Sequence, residues 1–346
     1  SDYVERIPEL VSRAWLTATS GRPGPVVVAL PENVISAPTN LAGLTHAVHI
    51  PEPAMSEDTL AAVKTALEGA TKPVILMGGG GWSTEGCRDL ERFAQRADIP
   101  VVAAFRYQDH FDNHADTYAG EAGVGMLPEV RQTLANADLI LAVGVRFGEM
   151  TTANHTLFDL PKMRQTLIHA HASAAELGKI YQPDIAINAG PNAVASALAD
   201  LNLTGDWATW RKEARARYES TFDLPPHTGP VDMRAVMTHV QAQLPDDAIV
   251  TNGAGNFSIW NNKYFRYGPD QRLLAPQSGA MGYGLPAAIA ARVTHPEKTV
   301  VCFAGDGDFQ MNAVELGTAM QAGAQPIVLN LNNGSYGTIR MHQDKH

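Results

Sequence analysis

Cysteine is scarce: the chain has two, Cys87 and Cys302, far apart and outside any Cys-x-x-Cys pattern. That excludes a disulfide framework and points to a reducing, cytoplasmic compartment. Cys302 lies inside an apolar strand-like run, where cysteine packs as a small core residue. Long hydrophobic runs are also lacking, and none approaches the ~20 residues of a helical membrane span. Positive charge is in deficit. Lys and Arg number 26 against 36 Asp and Glu, a formal net charge of −10. Nucleic acid and anionic membranes are held by basic patches, so neither is expected as a partner. A phosphate cofactor stays open, because backbone dipoles and a metal hold it locally. Internal repeats and low-complexity segments are absent. What remains is ordinary globular material, 45% apolar and 18% charged, enough at 346 residues for two or three domains with real cores.

The pattern along the chain reads as α/β. Residues 58–67, 86–97, 128–135 and 192–201 have helical periodicity. Strand-like runs stand at 73–77, 100–105, 139–145, 166–171 and 185–189. Alternation of this kind predicts a largely parallel, doubly wound sheet over residues 41–202. Residues 203–230, with a charged helical piece at 207–220, read as a linker. A second doubly wound α/β unit is expected over 231–346, with strands at 248–251, 272–275, 299–303 and 327–331. It has few strands for such a sheet and reads as truncated at its C-terminal side. Residues 1–40 offer one helix (3–19) and one strand (26–30), the remnant of a third domain.

The most informative feature is Gly305-Asp306-Gly307, followed after 24 residues by Asn332-Asn333. Asp306 closes one strand and Asn333 another, with a helix expected between them at 312–324. A carboxylate and an amide oxygen at neighbouring strand ends suit Mg²⁺, which prefers oxygen ligands and keeps company with phosphates. Gly305 and Gly307 let backbone approach a phosphate closely. A second anion site is suggested at 249–256, where a strand runs through Gly253 and Gly255 into a helix-like stretch.

Gly-Asp-Gly, a spacer of this length and Asn-Asn resemble the signature of thiamine diphosphate-dependent enzymes. The surroundings, residues 305–316 and 278–290, are similar to the acetolactate synthase (acetohydroxyacid synthase large subunit) branch. The resemblance implies Mg²⁺ on Asp306, Asn333 and the backbone carbonyl of Ser335. It implies a diphosphate tail at the turn Gly253–Gly255–Asn256, where the branch has Gly-Gln-His and this chain has Gly255-Asn256-Phe257. Asn256 keeps a hydrogen-bond donor and Phe257 does not. Gly305, Gly307 and Tyr336 are further cofactor contacts. Asp308 is either another contact or a solvated or helix-capping group near Asn312.

By the same resemblance the Gly279 carbonyl accepts from the cofactor's amino group, and Met281 wedges under it to hold its bent shape. These two are the catalytic positions implied in this chain. The activating Glu would come from the pyrimidine-binding domain of a neighbouring subunit, whose last strand the first 40 residues resemble. The chain alone is then expected to bind the diphosphate end but to be inactive, and the working form is a homodimer or homotetramer. The implied substrate is a small 2-oxo acid, with pyruvate converted to acetolactate.

The branch binds FAD in its central domain. Here Arg146-Phe147-Gly148-Glu149-Met150 keeps the first Arg of the family pattern and loses the second Arg and one Asp. His169 and His171 stand where acids are usual, so FAD or ADP stays open. The two histidines share a strand face but have no third metal ligand in view. Thr338 and His342 replace a Met and a Trp of branched-chain acetolactate synthases. His342 reads as an acid/base group or a solvated surface histidine. The rival functions are another thiamine diphosphate-dependent decarboxylase or lyase, of benzoylformate or oxalyl-CoA type, and a nucleotide-binding dehydrogenase domain built on Gly78–Gly81. A non-catalytic subunit is the third alternative.

Overall fold

A computed structural model describes residues 3–40, 48, 50–227 and 229–345. The opening of the expected central domain, residues 41–47 and 49, lies outside them. Among the described residues ten strands form two parallel sheets. The first contains β1 (Pro73–Met77), β2 (Val101–Ala104), β3 (Tyr118–Ala122), β4 (Leu139–Val143), β5 (Thr166–Ala170) and β6 (Ile185–Ile187). Its order is β3-β2-β1-β4-β5-β6. The second contains β7 (Ile249–Asn252), β8 (Arg272–Leu274), β9 (Val300–Gly305) and β10 (Ile327–Leu331), in the order β10-β9-β7-β8.

β1, β2, β4 and β9 are apolar runs because both sheet faces are covered along them. All five residues of β1 are buried. Ile75 and Met77 pack into one cluster, with Leu90 and Phe93 of the helix Thr84–Ala97. Val74 and Leu76 point the other way, toward Val130 and Trp210. This alternation is the period-2 rule applied on both faces. The helix Thr84–Ala97 starts where the Ser83 hydroxyl accepts from the Gly86 N–H at 3.0 Å, and it ends at Asp98 in the left-handed region, φ 53.

Four expectations need correcting. β3 was not foreseen, because Tyr-Ala-Gly-Glu-Ala has neither a β-branched residue nor alternation. No strand forms at residues 26–30: no described residue pairs with them, and Val27 is 92% exposed. The helix expected at 312–324 is present over 313–322, but its first turn is 3-10 and a separate helix that the sequence did not announce precedes it. A helix Asp306–Met311 ends at Asn312, a single 3-10 turn follows, and a second helix runs Leu316–Ala322. Asn312 leaves the helical region (φ −132) and donates through Nδ2 to the Gly282 carbonyl at 2.7 Å. Finally, the helix Ala208–Ser220 is no free connector. Its Trp210, Ala214 and Tyr218 are core residues of the first sheet, as is Trp207 just before it.

Each sheet reverses its winding once. The reversal falls between β1 and β4 in the first sheet and between β7 and β9 in the second. Open α/β sheets bind ligands outside the carboxyl ends of strands at such points.

Candidate cofactor site

A cavity of about 220 Å³ opens at the β7/β9 reversal. The turn after β7 contributes Gly255 and Asn256, and the loop after β8 contributes Gly279 and Met281. Gly305, Asp306, Gly307 and Asp308 line it from the end of β9, and Asn333, Ser335 and Tyr336 from beyond β10. Gly253 alone of the expected residues stands behind the wall. It is buried, with the Asp308 carboxylate against the face where a Cβ would project. His342 is exposed on the helix Gly337–Gln343 and does not line the cavity, whereas Thr338 does.

Local chemistry explains the shape. Asn332 and Asn333 each fold an Asx turn, accepting from the N–H groups of Gly334 (2.8 Å) and Ser335 (3.0 Å). Gly334 takes φ 63, which glycine adopts without cost. The Ser335 carbonyl accepts from the Gly337 N–H at 2.9 Å and keeps a second lone pair. The Thr338 hydroxyl donates to Asn256 Oδ1 at 2.8 Å, tying the segment beyond β10 to the turn after β7. Phe257, read from sequence only as a lost donor, has a packing role. A Cβ on Gly255 would come within 2.9 Å of its ring, and one on Gly305 within 2.7 Å.

Asp308 is neither solvated nor a helix cap. It is 3% exposed and accepts from the N–H groups of Ala254 (3.1 Å) and Gly282 (2.8 Å). Burial pushes its carboxyl up, against those two amides and the Arg106 charge, which pull it down.

The donors on offer are one free carboxylate, one amide oxygen and one backbone carbonyl. All are hard oxygens, the set Mg²⁺ takes beside phosphate. Among the described residues no group of three or more His, Cys, Asp or Glu could hold a metal. No Lys, Arg or His is among the described residues lining this cavity. An anionic ligand must therefore be balanced by a cation brought with it and by backbone N–H groups.

A larger cavity, about 550 Å³, lies at the β1/β4 reversal. Gly79–Gly81, Gly144, Arg146 and His171 line it, with Met150 toward the second domain. The glycine run has a packing cause. Gly79 (φ 78) and Gly144 (φ 71) cross so closely that a Cβ on Gly79 would run into the Gly144 carbonyl. The helix after this run opens at Ser83 rather than on a Gly-x-Gly-x-x-Gly turn, against a dehydrogenase-type phosphate loop. His169 is buried, bonded through Nε2 to the Val145 carbonyl at 2.9 Å, and burial pushes its imidazole down to about 4. His171 Nδ1 accepts from the Ser173 N–H at 3.0 Å. The Met150 methyl, which lines the larger cavity, is 4.0 Å from where a Cβ on Gly279, which lines the smaller one, would stand.

Sequence reading passed over Arg106, which reaches the second domain from the end of β2, and the buried pair Lys263–Glu121. A lone cation inside Phe-Arg-Tyr or Asn-Asn-Lys-Tyr carries no local signal. Only an apolar neighbourhood around a charge hints at burial.

Comparison with known proteins follows this architecture. Residues 60–198 match the family model for the thiamine pyrophosphate enzyme central domain, and residues 253–346 match that for its C-terminal TPP binding domain. The chain is 31% identical to the acetolactate synthase isozyme 3 large subunit of Escherichia coli, over 98% of this chain and 61% of that protein. It is 32% identical to the acetolactate synthase large subunit of Lactococcus lactis, over 98% of this chain and 59% of that protein. With the Parasynechococcus marenigrum large subunit the figures are 30%, 97% and 55%. The chain thus spans 55–61% of the length of these relatives. With both models matched in order over the two sheets, the chain belongs to the thiamine pyrophosphate enzyme family.

Proposed function

We propose that this chain is the central and diphosphate-binding part of a thiamine diphosphate- and Mg²⁺-dependent enzyme acting on 2-oxo acids, of acetolactate synthase type. The observation that carries the reading is the cavity at the β7/β9 reversal, where glycine turns and hard oxygen donors converge. Asp306, Asn333 and the Ser335 carbonyl would hold Mg²⁺. Backbone at Gly255, Gly305 and Gly307 would face the diphosphate, with Gly253 behind them supporting the turn, Asn256 donating, Asp308 shaping the turn and Tyr336 closing the side. The Gly279 carbonyl would orient the aminopyrimidine, and Met281 would support its bend. The bound cofactor supplies the electron sink for loss of CO₂ from the 2-oxo acid, and the protein supplies position and electrostatics.

The relatives' names support acetolactate as product, and the family resemblance adds pyruvate as the 2-oxo acid. The resemblance sets the activating Glu on a neighbouring subunit, so the working form is a homodimer or homotetramer. For the larger cavity the proposed ligand is FAD or ADP, on the strength of its place at the β1/β4 reversal, with Arg146 toward the phosphates. No described helix is long and apolar enough to cross a membrane.

Calorimetric titration with thiamine diphosphate tests the reading. Binding should require Mg²⁺, and Asp306→Ala should abolish the Mg²⁺-dependent part. Equal binding by wild type and variant would remove the metal assignment. ADP titrated separately should bind with Asp306 substituted; failure to saturate would leave the larger cavity without its proposed ligand.

A further inference from the structure

Arg106 follows β2 and stands with its backbone in the left-handed region, φ 63. A non-glycine residue stays there only when its surroundings fix it. The residue is 5% exposed. Its guanidinium leaves its own sheet and enters the second domain. Nη1 donates to the Pro276 carbonyl, and Nη2 donates to the Gly253 carbonyl at 3.2 Å. The Arg106 carbonyl in turn accepts from Gln277 Nε2 at 3.3 Å. Pro276 also accepts from the Gly279 N–H at 3.0 Å, so this contact sits at the root of the loop carrying Gly279 and Met281.

The same two segments are gripped a second time, through the opposite backbone polarity. Asp308 accepts from Ala254, next to Gly253, and from Gly282, at the far end of the 276–282 loop. A buried cation holds carbonyls of both segments, and a buried anion holds their amides. Simple glue between domains needs no such pairing; a cation on any two carbonyls would serve. The two segments gripped are those that line opposite ends of the cavity, the turn with Gly255 and Asn256 and the loop with Gly279 and Met281.

We infer that Arg106, from the central domain, is a positioning residue for the cofactor cavity, fixing the turn after β7 at a set distance from the loop 276–282. Its ligand consequence rests on the thiamine diphosphate reading; its structural consequence does not.

The test uses the full chain without ligand, by hydrogen exchange with mass spectrometry, on wild type, Arg106→Met and Arg106→Lys. Arg106→Met should speed exchange in both the 253–257 and 276–283 peptides, on the order of tenfold or more, with β1, β4 and β5 unchanged. Millimolar guanidinium should slow both peptides again in Arg106→Met and do nothing to wild type. Arg106→Lys keeps the charge but serves one carbonyl at a time, so it should lie between them. If Arg106→Met fails to fold, the Lys variant carries the test, and wild-type exchange in it overturns the inference. So does loosening of one segment without the other. In a second arm, Arg106→Met should weaken Mg²⁺–thiamine diphosphate binding on the order of tenfold, about 1.4 kcal/mol. Loosened loops with unaltered binding would overturn the ligand consequence. Loosened loops in Arg106→Met, together with a wild-type chain that never binds the cofactor, would leave the clamp standing and remove the cofactor reading instead.

Discussion

Lys263 and Glu121 form an ion pair across the two domains with both side chains shut off from water, at 4% and 3% exposure. Lys263 ends the helix Ile259–Lys263, just beyond the turn carrying Asn256, and Glu121 lies on β3. The second Glu121 oxygen accepts from the Arg106 N–H at 3.4 Å. Burial pushes the Lys263 ammonium down, so the carboxylate is what keeps a charge in that place tolerable.

Breaking the pair from one side should be costly. Glu121→Gln leaves an uncompensated buried cation and should destabilise by about 3–5 kcal/mol in urea unfolding. Glu121→Leu combined with Lys263→Met should cost less than either single change. A single-variant cost below about 1 kcal/mol would mean that water reaches the pair.

His169 gives a pH dependence with a definite sign. Unfolded, its imidazole titrates near 6.5; folded, burial holds it near 4. Between those values the unfolded chain takes up a proton that the native state refuses. Stability is therefore full above pH 6.5 and falls as pH drops toward 4, by about 3 kcal/mol in all. His169→Gln should flatten this slope in acid unfolding followed by circular dichroism. An unchanged slope would assign the acid loss to other groups.

Two glycines should respond oppositely to alanine. A Cβ on Gly284 would come within 2.9 Å of the Asn252 and Gly253 backbone, which cannot step aside. Gly284→Ala should cost about 1–3 kcal/mol and disturb the turn after β7. Gly317 has nothing within 4 Å and ordinary helical backbone, so Gly317→Ala should stabilise by about 0.4–1 kcal/mol. Thermal melts of the two variants separate these outcomes.

Membership of the helix Ala208–Ser220 in the first domain is also measurable. Trp207 is 2% exposed and donates through Nε1 to the Ala70 carbonyl at 2.9 Å. Trp207→Ala should cost about 3–5 kcal/mol, the scale of a large core truncation. A cost below about 1 kcal/mol would return this segment to the status of a connector.

Legibility followed the reach of each signal. Nine of the ten strands have apolar runs in the sequence at or within a residue or two of their observed places, because a parallel strand buried on both faces is a continuous apolar string. β3 was hidden by its small residues, and the short helix Asp306–Met311 was hidden because Asn312, bonding to the Gly282 carbonyl, divides it from the helical stretch expected at 312–324. Gly305, Asp306, Gly307 and Asn333 were legible as short motifs, since glycines and oxygen ligands at strand ends are local features. The solvated or capping reading of Asp308 failed because its burial and its two amide partners come from segments 54 and 26 residues away.

By itself the sequence determined the α/β class and the two parallel sheets, written in periodicity, and the glycines, Asp306 and Asn333 at strand ends, written in turn chemistry spanning a few positions; Gly279, Met281, Ser335 and Tyr336 were implied by the family resemblance alone. Tertiary structure alone decided that Arg106 reaches Gly253, 147 residues away, that Lys263 meets Glu121 across 142, and that Met150 comes beside Gly279. Such pairings have no period and no motif. They exist because burying a charge between domains requires a partner of opposite polarity, and only the folded chain brings that partner near.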